Sequence, residues 1–438
     1  MKQKWLILIS SLSLCVSCAN KLQKDGQGND WSSSYSGKAD IYGEDSRKEL
    51  NDPLVGDAIR ELGQSVAMVF SMRELNDIRD GKVIFRWQTM SQRVQAEKGV
   101  PLCEEEAFAE QPAPGYCTAF LIAPDLVATA GHCVNKHTRC EQMGFAFGYA
   151  KKTPHEDPIT IPEADFYRCE MLIGRLYNPL EEQETTENKE LWQDWAVMKL
   201  NRPVTNREPV RLMSGEFLKR GTEIKAIGHP SGISMKVTDG VVISDDKERY
   251  MNTTLDIYKG NSGSPTFDVV NGDVHGIVIR GTGGNSFRVT EQNCAVSKTC
   301  DEVGPGCYGN HVLRIDPVRV FTKENLEIIE QHSLVEDDQE LGFRYSFSFE
   351  EESEVAFATL HLNAFAREPK KLRAILHHGD LSIELMNHPI NLPYGRWTVT
   401  SEAFAGQKAQ GEWIIEVIDE GGSDIRVEWA QVMLGVLP

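Results

Sequence analysis

Gly260-Asn261-Ser262-Gly263-Ser264-Pro265 is the stretch on which the reading of this chain turns, together with two earlier ones, Thr129-Ala130-Gly131-His132-Cys133 and Asp194-Trp195-Ala196-Val197-Met198-Lys199-Leu200. In chain order they supply a His, an Asp and a Ser. Acyl transfer needs a hydroxyl nucleophile, an imidazole to take its proton, and a carboxylate that fixes the imidazole tautomer and stabilises the imidazolium. Any one of these residues alone is more often structural, and a lone Gly-x-Ser-Gly is often a plain turn. Their conjunction argues for chemistry at Ser262, with Gly260 free to adopt the backbone geometry that aims N–H groups at a developing oxyanion.

The chain has 438 residues, beyond the size at which one core stops growing, so two domains are expected. A formal net charge of −19 argues against a nucleic-acid partner and for a soluble protein that repels anionic surfaces. Two acidic runs, Glu181, Glu182, Glu184, Glu187 and Glu190, then Glu350, Glu351, Glu352 and Glu354, read as solvated loops. The start, Met1-Lys2-Gln3-Lys4 followed by apolar Trp5 to Val16, is too short for a membrane span and reads as a secretory signal over 1–18. Its end, Leu14-Cys15-Val16-Ser17-Cys18-Ala19, resembles a bacterial lipobox that would lipidate Cys18, with an ordinary signal-peptidase site as the alternative. The location expected is an outer-membrane or cell-surface lipoprotein, released if the following segment is cut.

Beyond the signal lie Cys103, Cys117, Cys133, Cys140, Cys169, Cys294, Cys300 and Cys307, an even set in an exported chain, for which disulfides are expected. Cys140 with Cys169 is a plausible pair by proximity. Neither Cys-x-x-Cys nor His-Glu-x-x-His occurs, so the sequence gives no support for a zinc site, and no cofactor is implied.

Residues 19–39 are rich in Gly, Ser, Asn, Gln and Lys and read as a linker or propeptide. From 40 onward, short apolar runs punctuated by Gly, Pro, Asn and Asp indicate many short strands. From Asp316-Pro317 to about His332, the spacing of Val318, Val320, Phe321, Leu326, Ile328 and Ile329 predicts a closing helix. After polar Glu336 to Glu340, alternation returns as Leu381, Ile383, Leu385 and Trp413, Ile415, Val417, a second all-β unit over 341–438.

On the three opening segments, and on Asp40-Ile41-Tyr42-Gly43-Glu44-Asp45-Ser46-Arg47, residues 40–334 resemble a trypsin-like serine peptidase of the chymotrypsin fold, nearest the bacterial glutamyl endopeptidases. The resemblance implies an all-β double barrel. It implies His132 as general base and acid, Asp194 as its orienter, Ser262 as nucleophile and the N–H groups of Gly260 and Ser262 as the oxyanion hole. It also implies a Cys117–Cys133 disulfide beside the His, and an inserted loop at about 175–192 lengthens the interval to Asp194. Asn261 stands where animal relatives have the Asp that pairs with a new N-terminus, so that salt bridge is unavailable. For the substrate pocket two residues compete: Asp256, six residues before Ser262, would favour Lys or Arg unless it is a buried structural group, and Arg280 would favour an acidic side chain unless it faces solvent. Gly411-Glu412-Trp413-Ile414-Ile415-Glu416-Val417 and Trp429-Ala430-Gln431-Val432-Met433-Leu434-Gly435 resemble the jelly-roll P domain that follows the catalytic domain of proprotein convertases.

The expected activity is that of an exported serine endopeptidase acting on protein or peptide substrates through an acyl-enzyme. A catalytically silent binding or adhesion protein on the same scaffold, or a peptidase that processes only its own propeptide, are the alternatives. The sequence leaves oligomeric state and natural substrate open.

Overall fold

The computed structural model describes residues 41–438 apart from 135–138, 154, 178–192, 214–216, 246–248, 282–285, 302, 304–306, 335–341, 367–371, 388–393 and 421–424. The expected signal, the linker, Cys18 and most of the inserted loop therefore lie outside the described residues.

Strands Val66–Ser71, Gly115–Ala123, Leu126–Thr129, Met143–Phe147, Phe166–Tyr177 and Asp194–Leu200 close into a six-stranded barrel. Its strands read as continuous apolar runs because most of their residues are buried, as across Val66 to Phe70 and Cys117 to Ile122. A second ring runs Glu223–Gly228, Pro265–Asp268, Val274–Arg280, Asn310–Arg314, Tyr250–Thr253 and Lys236–Ser244, and pairing of the last strand with the first closes it. The C-terminal part, from Glu327 on, is a β-sandwich. One sheet holds Glu327–Leu334, Ile425–Leu437, Glu354–Ala366 and Tyr394–Ser401, and the other holds Gly342–Phe349, Gly411–Asp419, Leu372–His378 and Leu381–Asn387. Here alternation is strict, with Trp413, Ile415 and Val417 facing the core between residues that are only half-buried.

The expected closing helix over 316–332 is corrected. Asp316–Arg319 forms one helical turn, Val320–Thr322 a 3-10 turn, and Glu327–Leu334 is a strand of the sandwich, paired along its length with Ile425–Leu437. Asn325, in the left-handed region at φ 59°, breaks the run. Ile328 then packs on the barrel core and Ile329 on the sandwich core, so a strand wedged between two cores mimics the apolar spacing of a helix.

Four disulfides brace the barrels: Cys117–Cys133 and Cys140–Cys169, as expected, with Cys103–Cys294 and Cys300–Cys307. The N-terminal segment is held differently, by buried charge. Strand Lys48–Glu49 lies on the outer edge of Lys236–Ser244, and Lys236, 2% exposed, reaches Glu49 Oε1 at 3.0 Å, Gln111 Oε1 at 2.8 Å and the Ser234 carbonyl at 2.8 Å. Burial pulls the Lys236 pKa down to about 8, against the charge of Glu49. Lys236→Met should cost about 3–5 kcal/mol, because it strands a half-buried carboxylate. The sign with pH also follows. Between pH 8 and the ordinary lysine value of 10.5 the unfolded chain holds a proton that the folded one has shed, so this group's contribution to stability rises with pH. Urea melts of wild type and Lys236→Met should therefore diverge across that window. A constant difference would contradict the burial of the ammonium.

Candidate active site

Strand Leu126–Thr129 delivers the chain into the short 3-10 turn Gly131–Cys133, which carries His132. Asp194 opens the neighbouring strand, whose Ala196 pairs with Thr129. Its carboxylate is nearly buried and uses both oxygens on one residue: Oδ2 lies 2.8 Å from His132 Nδ1, and Oδ1 accepts the backbone N–H of His132 at 2.8 Å. Ring and main chain of the His are thus fixed by one side chain. With Nδ1 held as the donor, the other ring nitrogen is the one available to take a proton. Asp157 and Asp165, two other aspartates between His132 and Ser262 in the chain, are paired with Lys151 and Arg207.

Ser262 arrives on a loop whose backbone is dictated by two glycines. Gly260 has φ +107°, and a Cβ there would sit 2.6 Å from the His229 carbonyl and 2.8 Å from Ser231 N. Gly263 has φ +89°, with a Cβ position 2.0 Å from the Thr118 carbonyl. Thr118 holds this loop to the first barrel: its N–H donates to Ser262 O at 2.8 Å and its hydroxyl to Gly260 O at 2.9 Å. On the far side Gly263 N–H donates to Val278 O at 2.7 Å. The Cys117–Cys133 bridge joins the residue before Thr118 to the residue after His132, so it ties nucleophile loop and His turn through one cross-link. Sulfur atoms of that bridge and a His132 nitrogen lie within 4.8 Å of each other, but a disulfide offers no thiolate to a metal.

The two pocket candidates separate. Asp256 is 1% exposed, and its carboxylate accepts the N–H groups of Tyr42 and Ser46, each at 2.7 Å, and the Ser46 hydroxyl at 2.7 Å. Of the two readings left open for Asp256, this geometry favours the structural one, a clamp on the N-terminal segment. Burial pushes its carboxyl above the usual range, against those three hydrogen bonds. Arg47, paired with Asp45, stacks over Tyr258 at 4.0 Å in the same loop. Arg280 ends its strand opposite His311, two residues beyond Val278. Burial pulls the His311 pKa down to about 3, and the Arg280 charge adds to the effect. A cavity of about 370 Å³ beside Lys259, walled by Met90, Val94, Tyr116 and Phe287, borders the same loop. Asn261, 4% exposed, has its side-chain oxygen on the Ser264 hydroxyl.

Sequence reasoning missed Thr118 and Arg175, whose guanidinium donates to the Gly131 carbonyl at 2.8 Å. Both lie within a few residues of a cysteine or an aromatic that the motifs flag, but a polar residue in a strand carries no signal of its partner.

Residues 117–277, which include His132, Asp194 and Ser262, match the model of the trypsin-like peptidase domain. No curated protein matches the chain. Among solved structures, a Glu endopeptidase aligns at 17% identity and a TM-score of 0.35, over 65% of this chain and all of that one. The VesB protease of Vibrio cholerae aligns at 12% identity and 0.38, over 85% and 89%. A serine endoprotease from Yersinia pestis aligns at 15% and 0.33, over 60% and 64%. The chain carries a trypsin-like peptidase domain, and by that domain it is a serine endopeptidase.

Asp256→Ala should cost about 3 kcal/mol, since it strands three buried donors. Hydrogen exchange at Tyr42 and Ser46 should quicken while the residue after which substrate is cut stays the same. Loss of cleavage after Lys or Arg in this variant would return Asp256 to the pocket.

Proposed function

We propose that the protein is an exported serine endopeptidase of the glutamyl-endopeptidase branch, working through an acyl-enzyme on His132, Asp194 and Ser262. The observation that carries the reading is the pair of hydrogen bonds that Asp194 accepts from His132, within a domain of trypsin-like sequence. In this mechanism His132 takes the Ser262 proton as the hydroxyl attacks the scissile carbonyl. The N–H groups of Gly260 and Ser262 receive the oxyanion, a contribution for which loss of one donor costs about 100- to 1000-fold. His132 then returns the proton to the leaving amine, and water repeats the sequence on the ester.

With the Asp256 carboxylate committed to the chain itself, Arg280 is the pocket charge, and the bond cut is the one after Glu or Asp. Cys18 would tether the enzyme to a membrane, and a cut near Lys38 to Ile41 would release it. The burial of Ile41, 1% exposed, and the anchoring of Tyr42 suit a mature domain that starts there. The sandwich corresponds to the P-domain-like unit.

Ser262→Ala should reduce turnover of a peptide library by up to about a millionfold with the fold intact. Wild type should cut after acidic residues, and Arg280→Ala should erase that preference. Cleavage after Lys or Arg would refute the assignment of the pocket, and wild-type turnover by Ser262→Ala would refute the triad.

A further inference from the structure

The strand Phe166–Tyr177 runs beside the catalytic pair and is bulged where it can least be left alone. Its register against Asp194–Leu200 slips between Leu172 and Gly174, which leaves Ile173 as the extra residue. A bulge frees a carbonyl from the ladder, and here the sandwich supplies its partner. The Thr359 hydroxyl donates to Ile173 O at 3.0 Å, and the Thr400 and Thr359 hydroxyl oxygens are 2.9 Å apart. Arg175 N–H donates to Thr400 Oγ1 at 3.0 Å. One consistent run of protons results, from Arg175 N–H to Thr400, from Thr400 to Thr359, and from Thr359 to Ile173 O. Both threonines are buried, at 0% and 6% exposure.

What the bulge aims is Arg175. Its Nε donates to the carbonyl of Gly131, the residue before His132, and its guanidinium lies 5.1 Å over the ring of Tyr177, which sits 6.2 Å from the His132 ring. Burial pulls the Arg175 pKa down to about 10, while the charge of Asp194 holds it up. Gly131 has no slack: a Cβ there would lie 2.8 Å from Leu176 O and 2.9 Å from Trp195 N. A displacement of residues 173–176 therefore passes directly into the His132 turn. Aromatic packing closes the same joint, with Phe321 4.5 Å from Phe357 of the sandwich and 5.6 Å from Trp195, next to Asp194.

We propose that Arg175 is a positioning residue for the His132–Asp194 pair and that Thr400 of the sandwich sets its position, so that the second domain is a working part of the active site. This rests on the function proposed above. The test uses the full mature chain and the variants Arg175→Met, Thr400→Val and Thr400→Ser. Misplacement of a catalytic group by about 1 Å can cost about 100-fold. Arg175→Met should accordingly lower kcat by about 10- to 100-fold with KM unchanged. Thr400→Val should lower kcat per folded molecule in the same sense, beyond the modest fall in melting temperature expected from stranding the buried Arg175 N–H, and Thr400→Ser, which keeps the hydroxyl, should restore both. The downfield imidazole N–H resonance of His132, assigned by its loss in His132→Ala, should shift or broaden in the first two variants and not in the third. Wild-type kcat in Arg175→Met and Thr400→Val would overturn the proposal, as would losses that follow only the folded fraction. If wild type shows no Ser262-dependent cleavage, the functional reading falls, and the resonance alone decides: unmoved in both variants, it overturns the positioning role as well.

Discussion

Everything at the site depends on one carboxylate accepting two hydrogen bonds from one residue. Asp194 binds both the ring and the backbone N–H of His132, so its placement fixes the imidazole and the turn that carries it together. A nearly buried carboxylate is costly unless its lone pairs are used, and here both oxygens are used. The constraint then passes outward. Asp194 starts a strand flanked by Leu126–Thr129 on one edge and Phe166–Tyr177 on the other, and Gly131 is pinched between these strands so closely that no side chain fits.

The loop that carries Ser262 obeys a second version of the same rule. Its shape comes from glycines at positive φ and from Thr118, but its base is set by the Asp256 carboxylate, buried under the N-terminal segment. Two backbone N–H groups and a hydroxyl converge on that carboxylate from residues 42 and 46, more than 200 positions away in sequence. Arg47 stacks on Tyr258 two residues further along the loop, and Glu49 completes the buried Lys236 cluster. The first ten described residues thus work as a strap across the second barrel, held by charge at three points. Buried ionic contacts of this kind add little net stability over apolar packing, but they fix one register of segment on barrel, because any slip leaves a charge unpaired.

The fold was legible where burial has a period. Alternation in Trp413, Ile415 and Val417 gave a strand, and the runs around Cys117 and Leu126 gave strands as well, because one or both faces meet a core. Legibility failed at Glu327–Leu334, where adjacent isoleucines serve two different cores and the periods of helix and strand coincide. The pairing of His132 with Asp194 was foreshadowed because the flanks of both residues are local. The role of Asp256 was not: a carboxylate six residues before a nucleophile has the same sequence whether it faces a ligand or a strap. Arg175 was hidden for a related reason, since its two partners, Gly131 O and Thr400 Oγ1, lie in different domains.

Ile173 and Asp256 show where such long-range constraints gather. Each presents oxygen that its own strand or loop leaves unpaired, and each is satisfied by a segment distant in sequence, the sandwich threonines in one case and the N-terminal strap in the other. A buried unpaired acceptor costs more than a typical hydrogen bond gains, so the segments that satisfy it cannot drift without penalty. Both lie close to the candidate site, Ile173 two residues before Arg175, which holds the Gly131 carbonyl beside His132, and Asp256 six before Ser262. The barrels therefore do not by themselves hold every contact around His132 and Ser262: chain from outside them supplies hydrogen bonds to the residues that flank both.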